Sequence, residues 1–492
     1  MSSPVIGKMD QPETNLPKLK VVRVVTASYV VPWHLTNTLK RMPADFEVCV
    51  VGQGVSSCRD LYPDVRWVDI DLNRKISLVS DLLSLFALCR FFISYKPDIV
   101  HSIMPKAGLL TAIAGFICRV PVRIHTFTGQ VWATKTGPAR LFYYGLDRLI
   151  NSLNTICLTD SPSQSAFLHA HKVSHAGRAL PVLSKGSLSG VDVGRFNLPA
   201  LSEQAGHLRQ QLGLNPNNPL DNEPTVGASL LAKNFAGKLA PTIGKASNGQ
   251  SGLNPNNPLA SKPPPVSPCQ GECPVCPSPD KGRLGGVGVE FLPNGQSGLN
   301  ESNFVFAFVA RKTRDKGALD VLMAFAAVSK IHPNARLLFV GPDESGGEIE
   351  GLFNSDPGLF NNVLDVGQVE NHELYLAISD VLCLPSHREG FGTIVIDAAA
   401  LGVPAIGSNI PGLVDAIENG QTGLLFPVGD VDALAGLMAE FIENPGKYEK
   451  MRLSAKARVD EFFTADLLYD ALKALYLELA DNRVRVGVSK HG

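Results

Sequence analysis

The chain has 492 residues, 45% of them hydrophobic and 18% charged, which predicts a globular protein of two or three domains with sizeable cores. Its 45 basic and 46 acidic side chains give a net charge of -1, so no overall field would attract nucleic acid, and we expect no nucleic-acid partner. The first residues are polar and lack the apolar segment of a secretory signal, and no run is expected to reach the length of a spanning helix. We therefore expect a cytoplasmic protein.

The first predicted domain follows an N-terminal tail of residues 1–20. Apolar strands alternate there with helical patterns up to about residue 200. Helices are predicted over 76–95 and 107–118, and strands over 21–25, 46–51, 98–101, 122–125 and 155–158. This βαβ rhythm predicts a doubly wound, Rossmann-like domain over residues 21–200.

A repetitive segment follows the first domain. Residues 215–300 contain 14 Pro and 12 Gly without a hydrophobic period, which is typical of low-complexity sequence. The octapeptide GLNPNNPL occurs at 213–220 and again at 252–259. We interpret 215–300 as a disordered repetitive insertion on the surface of the second domain.

The second predicted domain covers residues 301–462 and has the same alternation. Strands are predicted over 304–309, 336–340, 381–384 and 404–406, followed by helices and by a C-terminal helix and tail at 463–492. The predicted fold class is therefore α/β, with two doubly wound domains and a low-complexity insertion.

The cysteines do not predict a disulfide framework. Six of the nine lie in apolar patterns, as buried thiols do in a reducing compartment: Cys49, Cys58, Cys89, Cys118, Cys157 and Cys383. The other three have the spacing of the iron–sulfur loop of radical S-adenosylmethionine enzymes: Cys269, Cys273 and Cys276. They lie among prolines and repeat copies, so we interpret that spacing as fortuitous.

The stretch SHREGFGTIVIDAAALGVPAIGS, residues 386–408, predicts a binding loop between a buried strand and a helix. The backbone N–H groups of Gly390, Phe391, Gly392 and Thr393 would meet an anion at the helix N-terminus, where the glycines permit close approach. Asp397 lies one turn further on the same side, suited to a ribose diol. Glu389 precedes the turn and would face the group carried by the diphosphate.

Two cations are predicted to complete this site. The stretch ARKTRDKG, residues 310–317, follows the first strand of the same domain. Arg311 and Lys316 would therefore lie at the carboxyl end of a strand and could neutralise a diphosphate without a metal ion.

The pattern Glu-Gly-Phe-Gly-x-x-x-x-Asp from Glu389, with Arg311 and Lys316, resembles the signature of glycosyltransferase family 4. Further similar stretches are KPDIVHSIMPKAG, HTFTGQ, KGSLSGVDVGRF, VGPDE and IPGLVDAIENGQTGLLFPVGD. The resemblance covers nearly the whole chain except the insertion. The chain most resembles bacterial enzymes that build lipopolysaccharide O-antigen or capsule repeat units.

The resemblance implies a GT-B fold, in which two Rossmann-like domains face a cleft, with an N-terminal acceptor domain and a C-terminal nucleotide-sugar donor domain. It implies a retaining hexosyltransferase that needs no metal or other cofactor. Arg311 and Lys316 would bind the donor diphosphate, and Glu389 the sugar hydroxyls. The amides from Gly390 to Thr393 would contact sugar and phosphate, and Asp397 the ribose. His125 would face the donor sugar across the cleft.

The resemblance also implies an undecaprenyl-diphosphate-linked acceptor, and hence a protein that lies peripherally on the cytoplasmic membrane face. Segments 82–93 and 140–148 could lie on such a surface, or could simply cover the sheet. Lys106 and Trp33 are candidate acceptor contacts. Asp397 and Asp415 stand where Glu is common in the family, and the loop 28–33 lacks the paired glycines of many members.

Structural interpretations remain open for several of these residues. Glu389 and Asp397 could be acids that only complement a helix dipole. His125 and His101 each end a strand, where a single histidine is more often structural, and Lys106 could be merely solvated. The glycines at 52 and 54 lack the third glycine of a dinucleotide fingerprint, so that function is rejected.

Two other functions fit the same pattern. A nucleotide-sugar epimerase of the same fold would consume the donor without an acceptor. A non-catalytic nucleotide-sugar-binding protein would bind the donor without turnover. Assays of donor hydrolysis and transfer distinguish the three.

Overall fold

The computed structural model describes residues 18–72, 77–174, 178–214 and 303–488. The insertion predicted over 215–300, including its three cysteines, and nearly all of the predicted N-terminal tail lie outside the described residues. The described residues form two parallel six-stranded sheets joined by helices. The predicted α/β class with two doubly wound sheets is therefore confirmed.

The first sheet has the strand order β3-β2-β1-β4-β5-β6, and every neighbouring pair is parallel. Its strands are β1 Lys20–Ala27, β2 Glu47–Gln53, β3 Arg66–Asp69, β4 Ile99–Ile103, β5 Val122–Phe127 and β6 Ile156–Thr159. The order reverses between β1 and β4, which creates a crevice at the carboxyl ends of these two strands. Five of these six strands were predicted from the sequence, and β3 was not.

The helices of the first half are α1 Val30–His34, α2 Thr36–Leu39, α3 Met42–Asp45, α4 Leu78–Tyr95, α5 Pro105–Ile117, α6 Gly137–Leu153, α7 Pro162–Ala170 and α8 Leu198–Gln211. 3-10 helices occur at Val55–Leu61 and Val131–Thr134. The two helices predicted over 76–95 and 107–118 correspond to α4 and α5. Their apolar faces cover the sheet because a parallel sheet must be buried on both sides.

The second sheet has the order β12-β11-β10-β7-β8-β9 and is also parallel throughout. Its strands are β7 Phe304–Val309, β8 Ala335–Val340, β9 Val363–Gly367, β10 Val381–Leu384, β11 Ala405–Ser408 and β12 Gly423–Phe426. The order reverses between β7 and β10, so a second crevice lies at their carboxyl ends. Sequence analysis did not locate β9 or β12.

The helices of the second half are Ala318–Ile331, Glu348–Ser355, His372–Ala377, Thr393–Ala400, Leu413–Ala416, Val431–Glu443, Pro445–Phe462 and Ala465–Val488. Two 3-10 turns lie at Arg314–Lys316 and Pro357–Phe360. Two apolar clusters cover the opposite faces of the second sheet, and two more cover those of the first.

The C-terminal helix Ala465–Val488 packs against the first sheet. The Tyr476 hydroxyl and His101 Nδ1 share a hydrogen bond of 2.6 Å, and the Tyr476 ring lies edge-on to Phe46. Thr126 Oγ1 and His101 Nε2 share a second hydrogen bond of 2.8 Å. His101 is therefore a buried structural residue, and the last helix contributes to the core of the first half.

One expectation about membrane segments is wrong. Helix α4 has 18 residues with a mean hydropathy of 1.6, which by length and composition alone is enough to cross a membrane. Only 22% of the helix is buried in the protein. The helix itself was predicted over 76–95, but its apolar character was underestimated, since Asp81 and Arg90 are its only charged residues.

Candidate active site

A cleft of about 830 Å³ lies where the two sheets direct the carboxyl ends of their strands toward each other. In the first half it is lined by residues at the ends of β1, β4 and β5, and in the second half by residues at the ends of β7, β8 and β10. These strands include those on both sides of each reversal in strand order. This is the position at which open parallel sheets bind ligands.

The loop between β10 and the helix Thr393–Ala400 forms one wall of the cleft. Gly392 has φ +87°, and a Cβ atom there would lie 2.6 Å from Leu413 Cδ2. A Cβ atom on Gly390 would lie 2.2 Å from Asp160 Oδ2. Both positions therefore exclude a side chain. Gly390, Phe391, Gly392 and Thr393 all line the cleft at the helix N-terminus, where backbone N–H groups have no partner inside the helix.

Two side chains of opposite charge meet beside this loop. Lys316 Nζ donates a hydrogen bond of 2.6 Å to Glu389 Oε1, and Ser386 Oγ donates to the same oxygen at 2.9 Å. Lys316 ends the 3-10 turn that follows β7, and the next residue, Gly317, has φ +70°. Both charged side chains are largely buried, so water screens their attraction only in part.

Two arginines add positive charge near the pair. Arg311 lines the cleft at the end of β7, where its Nη1 lies 2.7 Å from Glu344 Oε2. Arg388 Nη1 donates to the carbonyl oxygen of Gly129 at 2.7 Å, and its Nη2 lies 3.2 Å from Asp315 Oδ2. Sequence analysis assigned no role to Arg388, although it lies in the predicted loop. It joins the loop of the second half to the end of β5 in the first.

Asp397 lines the cleft one helical turn beyond Thr393. Its Oδ2 lies 3.7 Å from His372 Nε2, and the His372 ring packs against Phe196. Burial raises the pKa of Asp397, and the nearby His372 opposes that rise. A ligand hydroxyl that donates to this carboxylate would compensate part of the cost of its burial.

His34 is a cleft residue that sequence analysis missed. It ends helix α1, immediately after the predicted loop 28–33, and its Nδ1 has no hydrogen-bond partner among the described residues. Burial, together with the positive charge of Lys316, lowers the pKa of His34 to about 4, although the Glu389 carboxylate raises it. His34 is therefore neutral at physiological pH. The position of His34 shortly after β1, at the carboxyl end of a strand, could have indicated that it lies near the cleft.

Asp160 is a second cleft residue that was missed. It follows β6, is almost completely buried, and its Oδ1 has no partner among the described residues. Burial raises the pKa of Asp160 well above its usual value, and the carboxylates of Glu389 and Asp415 add to that rise. The neutral acid is therefore favoured where Asp160 packs against Gly390.

The two halves also meet at Ser163 and Asp415. The Ser163 backbone N–H and hydroxyl both donate to Asp415 Oδ2, and the Ser163 hydroxyl accepts from the Gly412 N–H at 2.8 Å. Asp415 thus joins the halves and does not line the cleft. The shorter acid at this position is accommodated by Ser163.

Trp33 and Lys106, the candidate acceptor contacts, both line the cleft. Trp33 is 45% exposed and lies edge-on to Tyr29. Lys106 is the second residue of helix α5, and its Nζ lies 2.6 Å from Asp81 Oδ1 of helix α4. Of the predicted site residues, these two, Arg311, Lys316 and the residues from Glu389 to Asp397 named above are brought to one cleft.

His125 lies elsewhere. It is in β5, its side chain is buried, and its Nδ1 shares a hydrogen bond of 3.0 Å with Ser102 Oγ. Its ring packs against α5 at Gly108, where a Cβ atom would lie 2.3 Å from His125 Cε1. Burial lowers the pKa of His125 to about 3. His125 is not among the residues that line the cleft, so its contact with a donor sugar stays a prediction.

Comparison with known proteins agrees with this geometry. The model of the glycosyl transferase 4-like domain matches residues 30–182, and the model of glycosyl transferases group 1 matches residues 294–458. Together they cover more than half of the chain, including five of the six strands of the first sheet and all six of the second. The chain belongs to glycosyltransferase family 4. The predicted family and the predicted class of enzyme are confirmed.

The relatives of this family 4 glycosyltransferase include a capsule enzyme and a galactosyltransferase named for a diphosphoundecaprenol-linked substrate. The capsular polysaccharide biosynthesis glycosyltransferase CapM of Staphylococcus aureus is 24% identical over 93% of this chain and 96% of its own length. A UDP-Gal:alpha-D-GlcNAc-diphosphoundecaprenol alpha-1,3-galactosyltransferase of Escherichia coli is 22% identical over 84% of this chain and 83% of its own. The chain is thus similar to these two enzymes over nearly their whole length.

Solved structures show the same fold. Anabaena HepE in complex with UDP has a TM-score of 0.62 and 17% identity, and the match covers 94% of this chain and all of HepE. Sucrose-phosphate synthase of Thermosynechococcus elongatus also has a TM-score of 0.62 and 17% identity, over 94% and 99% of the two chains. The family 4 glycosyltransferase therefore has the GT-B fold.

Proposed function

We propose that this enzyme transfers a sugar, with retention of anomeric configuration, from a nucleoside diphosphate sugar to a lipid-linked glycan. The observation that carries the donor half is the Lys316–Glu389 pair at the N-terminus of the helix that holds Asp397. The Lys316 ammonium suits a diphosphate and the Glu389 carboxylate suits sugar hydroxyls. The Asp397 carboxylate, one helical turn beyond Thr393, suits a ribose diol.

The donor site follows from these positions. Arg311 and Lys316 bind the diphosphate together with the N–H groups from Gly390 to Thr393, and they stabilise the charge that develops when the diphosphate leaves. Glu389 accepts hydrogen bonds from the donor sugar. Asp397 accepts hydrogen bonds from the ribose. Relatives crystallised with UDP and UDP-glucose support a nucleotide-sugar donor.

Retention is proposed through attack on the face that the diphosphate leaves. The bond between the anomeric carbon and the diphosphate oxygen breaks, and the nucleoside diphosphate departs with the electron pair. The acceptor oxygen bonds to the same face of the anomeric carbon, and its proton passes to an oxygen of the departing phosphate. Glu389 is bound to Lys316 and Ser386, which favours a role in binding over one as nucleophile.

A screen of nucleotide sugars tests this function. Each donor is incubated with the enzyme and an undecaprenyl-diphosphate sugar, and products are identified by mass spectrometry. We expect one donor to be consumed only when the acceptor is present, and proton NMR of the product to show the anomeric configuration of the donor. An inverted product would overturn the mechanism. Isomerised donor without acceptor would indicate an epimerase, and binding without turnover a non-catalytic protein.

We propose that the first half contacts the cytoplasmic face of the membrane through helix α4. Six large apolar side chains of α4 are 65% to 80% exposed: Leu78, Val79, Leu82, Leu83, Phe86 and Ile93. Exposed arginines lie on α4 and on α6, namely Arg90, Arg140 and Arg148. An apolar face beside basic side chains binds the interface of an anionic bilayer.

Vesicle flotation tests this location. We expect the protein to float with anionic vesicles and less with neutral ones, and binding to weaken at high salt and in Arg140→Glu with Arg148→Glu. The replacement of Leu82 and Phe86 by serine should abolish flotation, whereas Leu453→Ser, an exposed leucine of the second half, should not. Protein that stays in the soluble fraction with every lipid would refute a membrane role for α4.

A further inference from the structure

The cleft has an apolar arm that the donor site does not use. The arm is formed by Leu78 of α4, Leu109 of α5, and Phe142, Tyr143 and Leu146 of α6, all of which line the same cleft as Glu389. Helix α5 packs between α4 and α6, so these side chains come from three adjacent helices.

The two ends of this apolar arm differ in chemistry. At its outer end, Leu78 is 80% exposed and Phe142 is 54% exposed, so the arm continues into the exposed face of α4. Beside it, the Lys106 ammonium and the Asp81 carboxylate join the first turns of α5 and α4 at 2.6 Å. Lys106 and Asp81 also line the cleft.

This arrangement fits a ligand in which a hydrocarbon chain is attached directly to an anionic group. Hydrocarbon next to the arm would remove apolar surface from water, which free oligosaccharide could not do. A diphosphate near Lys106 carries more negative charge than the Asp81 carboxylate and would compete with it for the ammonium. The arm, the Lys106–Asp81 pair and the donor loop all belong to one cleft.

We propose that the apolar arm binds the first isoprenoid units of a lipid diphosphate acceptor and that Lys106 binds its diphosphate. This inference rests on the proposed transfer to a lipid-linked glycan. The lipid enters from the exposed face of α4, its first isoprenoid units lie against Leu109 and Leu146, and its sugar extends toward the donor loop. The hydrocarbon contacts then set acceptor affinity without touching the donor.

Direct binding tests the arm without requiring turnover. The full chain is titrated by calorimetry with isopentenyl, geranyl and farnesyl diphosphate, with the donor site occupied by saturating UDP. We expect affinity to rise with chain length, with farnesyl diphosphate bound at least tenfold more tightly than isopentenyl diphosphate. Equal affinity for the three chains would overturn the proposal.

Variants then locate the site. Leu109→Trp, which fills the arm, should make affinity independent of isoprenoid chain length and leave UDP affinity unchanged. Leu82→Ser, on α4 outside the arm, is the matched control and should retain the dependence. If Leu82→Ser removes it and Leu109→Trp does not, the hydrocarbon binds the outer face and the arm is not its site.

Substitutions of Lys106 and Asp81 should change the affinity for farnesyl diphosphate in opposite directions. Asp81→Asn removes a carboxylate that competes for Lys106 and should tighten the binding of farnesyl diphosphate several-fold, whereas Lys106→Gln should weaken that binding about tenfold or more. Misfolding would not improve binding in one variant and weaken it in the other.

If isoprenoid diphosphates bind more tightly as the chain lengthens but no sugar is transferred, the proposed function is refuted and the apolar arm is retained. Suppose the wild type transfers sugar, but the affinity of Leu109→Trp still rises with isoprenoid chain length as in the wild type. That result would refute the apolar arm as the lipid site and leave the proposed function intact.

Discussion

Lys316 and Glu389 are bonded to each other across the donor wall of the cleft, 2.6 Å apart, although 73 residues separate them in the chain. Each is therefore the partner of the other before any diphosphate arrives. A change in one leaves the other charge uncompensated in a poorly solvated place, so the two cannot be interpreted as independent contacts.

The first prediction follows from that pairing. Lys316→Ala removes a diphosphate contact and leaves Glu389 to repel the ligand, so nucleoside diphosphate affinity should fall roughly 10- to 100-fold, together with turnover. Glu389→Gln frees Lys316, so affinity should be unchanged or higher, while turnover falls by roughly the same factor. Calorimetry and steady-state kinetics measure both. Arg314→Ala, in the same 3-10 turn but paired with Glu348, is the control and should change neither. Equal small effects from the two variants would contradict the assignment.

A second prediction concerns Asp397 and the ribose. Asp397→Asn should weaken nucleoside diphosphate affinity roughly tenfold with less effect on turnover, because one acceptor of the ribose diol becomes a poorer one. The wild type should prefer the ribonucleotide to its 2′-deoxy form, and the variant should lose that preference. A variant that still discriminates fully between the two forms would show that Asp397 does not contact the ribose.

The third prediction is a pH dependence of stability at Asp147. Burial raises the pKa of Asp147 to about 7, although the hydrogen bond of 2.7 Å from Trp132 Nε1 lowers it. The folded protein thus holds a proton that the unfolded chain releases near pH 4, and its stability falls as pH rises from about 4 to about 7. Asp147→Asn should therefore remove this fall in stability with rising pH.

Thermal unfolding at a series of pH values checks this prediction. The gain of Asp147→Asn over the wild type should grow by on the order of 2 kcal/mol between pH 5 and pH 8 and then level off. A gain that is the same at pH 5 and pH 8 would mean that Asp147 is already ionised in the folded protein.

Removal of the insertion is a fourth prediction. Both six-stranded sheets are complete among the described residues on either side of it, and its composition cannot bury enough apolar surface to offset the ordering entropy. Replacement of residues 217–300 by a short Gly/Ser linker should leave a protein that unfolds cooperatively at a similar temperature. Loss of a cooperative transition would show that the segment contributes to the core.

The fifth prediction is that transfer does not depend on a metal ion. Arg311, Lys316 and the helix N-terminus supply the positive charge that a leaving diphosphate requires. Activity should therefore be unchanged by EDTA. Loss of activity with EDTA that Mg²⁺ restores would contradict this, and stoichiometric iron or zinc after dialysis would give Cys269, Cys273 and Cys276 a metal site.

The sequence by itself determined the features that depend on neighbours along the chain. Alternating apolar strands and helical patterns predicted two Rossmann-like sheets. The strand, glycine loop and helix around 381–400 could be located because the local turn requires glycine at Gly392. The edge strands β3, β9 and β12 were missed because charged residues interrupt β3 and β9 and a glycine begins β12, so their own patterns are weak.

Only the tertiary structure decided which distant residues share the cleft. Lys316 meets Glu389 because they follow β7 and β10, which are neighbours in the second sheet although distant in sequence. Asp160 packs on Gly390 because the carboxyl ends of the two sheets line one cleft. The exposure of helix α4 also could not be predicted from its sequence. An apolar helical pattern is identical whether the helix faces a core or the solvent, and only packing leaves Leu82 and Phe86 exposed.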